Sequence, residues 1–92
     1  MAVTVYLSGH LKSLTGGVTE FALNGDVATV GDALDKIWQQ HPALRDRILN
    51  EQGEIRRHVN IFVGSNDVKR LNGLQTTVNA GDIHIFNAVS GG

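Results

Sequence analysis

The chain has no cysteine. This excludes disulfides, thiolate metal sites, thiol nucleophiles and persulfide carriage together, so any sulfur chemistry must use another atom. Charge of one sign is also missing: 8 basic and 9 acidic residues leave a net charge of -1, and they are scattered along the chain. Without a basic block to neutralise a row of phosphates, nucleic acid is excluded as a partner. No stretch approaches the roughly 18 apolar residues of a membrane span, and the N-terminus lacks a basic segment followed by a long apolar run. A cytoplasmic protein with no membrane partner is expected. Finally, there is no G-x-x-x-x-G-K-[ST] loop and no basic cluster beside a glycine-rich turn, so the chain has no ATP site of its own.

What is present fits one domain. The 92 residues are enough to bury a core but too few for a deep cleft between subdomains. Ala2 to Leu7 alternates with period two, which predicts a strand with Val3, Val5 and Leu7 inward. After a loop carrying Thr15-Gly16-Gly17, Val18 to Leu23 alternates weakly and Asn24-Gly25-Asp26 closes a hairpin. Thr29-Val30-Gly31-Asp32 matches the [ST]-x-x-[DE] capping box, and Val30, Leu34, Ile37, Trp38 and His41 follow as the apolar stripe of a helix. The single proline, Pro42, ends that run and opens a short second helix to Leu49, with a polar surface loop from Asn50 to Arg57.

His58 to Val63 is the clearest strand, ended by a Gly64-Ser65-Asn66-Asp67 turn. A short strand is expected over Val68 to Leu71, and a last one over Ile83 to Val89. The order strand, strand, helix, strands describes an α+β domain of four to five strands in which one main helix covers one sheet face. On the open face the registers place Tyr6, Phe62, His84 and Phe86.

The close of the chain, AVSGG from Ala88 to Gly92, is the most specific feature. Gly91-Gly92 alone carries little weight, because 11 residues are glycine. In context it carries more. T-V-G-D-A-L at the helix start, HVNIFVGSNDVKRLNGLQT in the second half and A-G-D-I-H-I-F-N-A-V-S-G-G at the end together resemble the ubiquitin-like sulfur carriers of the MoaD/ThiS type. That group contains the small subunit of molybdopterin synthase, the thiamine-pathway carrier and a cysteine-biosynthesis carrier. The V-N-I-F-V and G-L-Q-T segments are more similar to the cysteine and molybdopterin types, whereas Asn87 stands where many relatives have proline.

The resemblance implies a β-grasp domain over residues 1–89 and a flexible Gly-Gly tail over 90–92. It also implies a non-enzymatic role. The terminal carboxylate of Gly92, with Gly91 as its flexible neighbour, would be adenylated with ATP by a separate ubiquitin-activating-like adenylating and sulfurtransferase enzyme, then converted to a thiocarboxylate. The partners implied downstream are a pyridoxal-phosphate cysteine synthase with a JAMM-type metalloprotease, or the large subunit of molybdopterin synthase. Phe86, Phe62, Tyr6 and Val89 are the residues expected to meet these partners. Alternatives are a thioacid pathway for a siderophore or similar metabolite, a protein modifier joined through Gly92, and an interaction module with an inert tail.

The chemistry fits the tail. A free α-carboxyl has a pKa of about 3.3 to 3.7, so at neutral pH it is an anion and a poor electrophile that must be activated. With no ATP site in the chain, activation requires the tail to enter another protein. Glycine has no Cβ to collide with a channel wall, and Val89 to Gly92 could reach about 13 to 14 Å. The histidines His10, His41, His58 and His84 lack metal-ligand spacing and are read as structural. Asp32, Asp67 and Asp82 are read as caps and turn residues, and Arg56, Arg57, Lys69 and Arg70 as a modest basic region.

Overall fold

The computed structural model describes residues 3–25, 27–78 and 81–87. Among them five strands form one mixed sheet: β1 (Val3–Leu7), β2 (Glu20–Leu23), β3 (Val59–Val63), β4 (Asn66–Asp67) and β5 (Asp82–Asn87), in the order β2-β1-β5-β3-β4. β1 pairs antiparallel with β2 and parallel with β5, while β3 pairs antiparallel with β5 and β4. Two helices lie between β2 and β3 in the chain, α1 (Val30–Gln40) and α2 (Pro42–Ile48).

Alternation decides which face is covered. Val3, Val5, Phe21, Leu23, Val59, Ile61, Val63, Ile83 and Ile85 are buried, and they meet Val30, Ala33, Leu34 and Ile37 of α1 and Leu44 and Ile48 of α2 in one core. Trp38 is only partly buried at the rim of that core, and His41 caps α1 with its ring against Phe21 at 5.3 Å.

The start of α1 follows the capping box. The Thr29 side chain accepts from the Asp32 amide at 3.2 Å, and the Asp32 carboxylate accepts from the amides of Thr29 and Ala28 at 3.2 Å each. Gly31 sits where a Cβ would lie 3.2 Å from the Leu74 carbonyl oxygen, so the helix start can close on the Gly73–Gln75 3-10 turn. The Val30 amide donates to the Thr76 carbonyl and Thr29 bridges Thr77. The T-V-G-D and G-L-Q-T segments are therefore two sides of one contact. Thr29→Ala is expected to cost about 1 kcal/mol of stability, read as a shifted denaturant midpoint with an unchanged slope.

Three expectations are corrected. Val68 to Leu71 is not a strand: Val68–Arg70 is a 3-10 turn, and the preceding Asn66–Asp67 supplies β4 instead. The Asp67 carboxylate accepts from the Lys69 amide at 2.9 Å, which turns the chain away from β3 after only two paired residues. The segment after β1 is not a plain loop, since Gly9–Thr15 is a 3-10 helix that buries Leu11 and ends at Gly16 with φ 69. That left-handed angle suits glycine. The second strand begins at Glu20 rather than Val18, which is exposed.

Candidate functional site

The open face of the sheet is built by register. Tyr6 pairs with Glu20 on β2 and with His84 on β5; His84 pairs with Phe62 on β3; Phe62 pairs with Asp67 on β4. These five residues form one row across the whole sheet, on the side opposite the helices. Phe86 stands one pleat further along β5, opposite Asn60.

The rings in this row touch. Tyr6 and His84 stack with centroids 4.9 Å apart and planes 11° from parallel, and His84 continues to Phe86 at 6.3 Å and 8°. Phe62 meets Phe86 edge-on at 5.9 Å. Tyr6 is 36% exposed and Phe86 47%, so the cluster is ordered yet accessible. The His84 ring nitrogen Nε2 lies 2.6 Å from a carboxylate oxygen of Asp82, two residues along the same strand. Asp82 therefore does more than close a turn, because its hydrogen bond fixes the imidazole upright in the stack. The spacing D-x-H on a strand was the available signal, since period two puts both side chains on one face.

Tyr6, Phe62 and Phe86 are thus brought together on one accessible surface, with His84 at its centre. Val89, Gly91 and Gly92 lie outside the described residues, as does Ala88; the last described residue of β5 is Asn87. The 90–92 segment falls outside them as well.

The basic region is partly tied down. The Lys69 ammonium donates to the carbonyls of Arg56 and Arg57 at 3.1 and 3.0 Å, and the Arg56 guanidinium donates to the Asp46 carbonyl at 2.8 Å. An open recess of about 700 Å³ is lined by Asn50, Ile55, Arg57, Lys69 and Leu74, and by none of the row residues. Among the described residues no group of three or more His, Asp or Glu side chains could hold a metal, and no helix is long and apolar enough to cross a membrane.

The chain is similar to known proteins in sequence and in fold. The model of the ThiS family matches residues 5–92. The chain is 33% identical over 95 aligned residues to the sulfur carrier protein CysO of Mycobacterium tuberculosis, with both chains covered in full. The crystal structure of SAMP1 from Haloferax volcanii is similar with a TM-score of 0.82 at 31% identity, covering 100% of each chain. A chain in the crystal structure of the Amycolatopsis orientalis BexX/CysO complex also gives a TM-score of 0.82 at 31% identity, over 98% of this chain and 99% of that one. The fold is the ubiquitin-like β-grasp of these relatives.

Proposed function

The chain belongs to the ThiS family, and from that membership we propose that it carries sulfur as a thiocarboxylate on Gly92. The relatives it matches are small carrier and modifier proteins by name. The observation that supports carriage most strongly is the 33% identity to a sulfur carrier over the full length of both chains.

In this reading the Gly92 carboxylate attacks the α-phosphorus of ATP in the site of a separate activating enzyme, forming an acyl-adenylate and releasing pyrophosphate. Hydrosulfide then adds to the activated carbonyl, AMP leaves, and one proton is lost to give the thiocarboxylate. In this reading the chain supplies the carboxylate and a surface, and the activating enzyme supplies the nucleotide site. Delivery of the sulfur to a cysteine synthase that uses pyridoxal phosphate is the preferred route, by similarity to CysO. Insertion into the large subunit of molybdopterin synthase is the other sulfur-donating route.

The experiment is to incubate the protein with its activating enzyme, ATP and sulfide, and to measure intact mass. A gain equal to the difference between sulfur and oxygen supports carriage, and an unchanged mass opposes it. A second reading, conjugation to target proteins, is favoured by the 37% identity to small archaeal modifier protein 3 of Haloferax volcanii over 73% of each chain. It predicts ladders of larger species on a denaturing gel from cell extract.

Tyr6, Phe62 and Phe86 are the docking residues of this proposal. Phe86→Ala removes a ring that is half exposed and rests edge-on against Phe62. It should cost no more than about 1.5 kcal/mol of stability while raising KM for the activating enzyme by about tenfold or more. Equal KM values for the two proteins would remove the face from the docking surface.

A further inference from the structure

The charged residues within the strands, histidine aside, are all acidic. No lysine or arginine occurs in any of the five strands, although there are 8 in the chain. The row instead ends in a carboxylate on each side, Glu20 on β2 and Asp67 on β4, and Asp82 lies beside its centre. Four interstrand steps separate Glu20 from Asp67, about 19 Å. Of the three acids, Asp67 caps the following turn and Asp82 holds His84. Glu20 is exposed, and no described residue forms an ion pair or hydrogen bond with its carboxylate.

Tyr6 gives that free carboxylate a neighbour of particular use. One face of its ring is covered by His84, stacked nearly parallel at 4.9 Å. The opposite face is turned away from β5 and toward β2, where the register partner is Glu20 and the next outward residue within the strand is Ala22. Both Glu20 and Ala22 are exposed. A flat cation laid against that ring face would meet a carboxylate across the edge strand and, further along that strand, no more than the methyl group of Ala22.

We propose that the Tyr6 ring face and the Glu20 carboxylate form a slot for an arginine side chain from the protein that docks on this face. Guanidinium fits better than ammonium because it is planar, stacks on aromatic faces and presents paired donors to a carboxylate. Placed at one end of the apolar row, such an anchor sets the direction in which the partner lies across the sheet. No lysine or arginine among the described residues forms an ion pair with Glu20, so the slot is not answered from within the described chain. The proposal rests on the docking role given above only in taking the arginine's source to be a protein.

The test uses the full-length, isotope-labelled protein titrated with N-acetyl-arginine methylamide and, separately, with the lysine analogue, followed by amide chemical shifts. Saturable shifts centred on Tyr6, Glu20 and Ala22 are expected, with the arginine compound binding about fivefold more tightly than the lysine compound. Glu20→Gln and Tyr6→Leu should each reduce that affinity by about fivefold while core amides such as Ile61 keep their positions. Equal responses to the two compounds, shifts spread over all exposed acids, or no saturation would overturn the slot. So would a concentration-dependent dimer whose interface shifts map to the same row, because the occupant would then be a second copy. Saturable arginine binding alongside an unchanged intact mass in the sulfuration assay would overturn the carrier role and leave the slot standing.

Discussion

Deleting Gly92 is expected to reduce thiocarboxylate formation by about 100-fold or more while leaving the melting temperature of the domain unchanged. The carboxylate of the shortened chain would sit on Gly91, drawn back by one residue, about 3.3 to 3.6 Å. Acyl activation needs the attacking oxygen within contact distance of phosphorus, and misplacement by about 1 Å already costs on the order of 100-fold. Adding one residue beyond Gly92 should do the same, since it moves the carboxylate equally far and adds a Cβ unless the extra residue is glycine. Stability should not follow, because the core residues among those described run from Val3 to Ile85, seven positions before the deleted one. A shortened protein that is sulfurated as fast as the intact one would mean that Gly92 is not the reactive residue.

Ile61→Ala should have the largest effect on folding. Ile61 is fully buried at the middle of β3 and sits directly opposite Ile85 of β5, itself 1% exposed, between the sheet and the helices. Truncation removes three carbons from a position enclosed by strands that cannot easily close the gap, and such changes cost about 2 to 5 kcal/mol. A domain of this size has a total stability of about 5 to 14 kcal/mol, so the loss is a large share of it. The melting temperature should fall by about 10 to 25 °C, whereas Ile61→Val, losing a single methyl, should cost only about 1 kcal/mol. Circular dichroism during heating checks both. A fall of less than about 5 °C for the alanine variant would contradict the packing described at the sheet centre.

Where the sequence is legible, one local rule governs. β1, β3 and β5 alternate between Val, Ile or Leu facing the core and polar or aromatic residues facing out, and the faces come out as alternation requires. Thr29 and Asp32 mark the start of α1 because capping is a contact between residues three apart. The misreadings come from competition between two local signals. Val68 and Leu71 bracket a stretch short enough for a strand, but the Asp67 side chain satisfies the Lys69 amide and favours a turn; Val68 goes into the core and Leu71 remains exposed. Leu11 and Leu14, three apart, fit the period of a 3-10 helix, a period too brief in a seven-residue segment to stand out from loop.

The candidate site is legible only in part. Alternation puts Tyr6, Phe62, His84 and Phe86 on the open face, but no pattern within a strand states that β1 lies beside β5, from the far end of the chain. Strand order is a long-range property, set by how the helices cover the sheet. The stack of Tyr6 on His84, the hydrogen bond that holds His84 to Asp82, and the acids at both ends of the row depend on that order. Nor does the sequence show what His41 and His84 contact: His41 packs on Phe21 and His84 stands within the aromatic stack.

The absence of cysteine makes the central claim directly measurable, since a thiol-selective alkylating reagent has no side-chain target in this chain. The protein should be incubated with its activating enzyme, ATP and sulfide, treated with iodoacetamide and digested with trypsin, whose last cleavage point is Arg70. The account predicts alkylation on the Leu71–Gly92 peptide alone, dependent on ATP and placed at Gly92 by fragmentation. A product with no alkylation after complete ATP turnover, or a label on any residue other than Gly92, would contradict it.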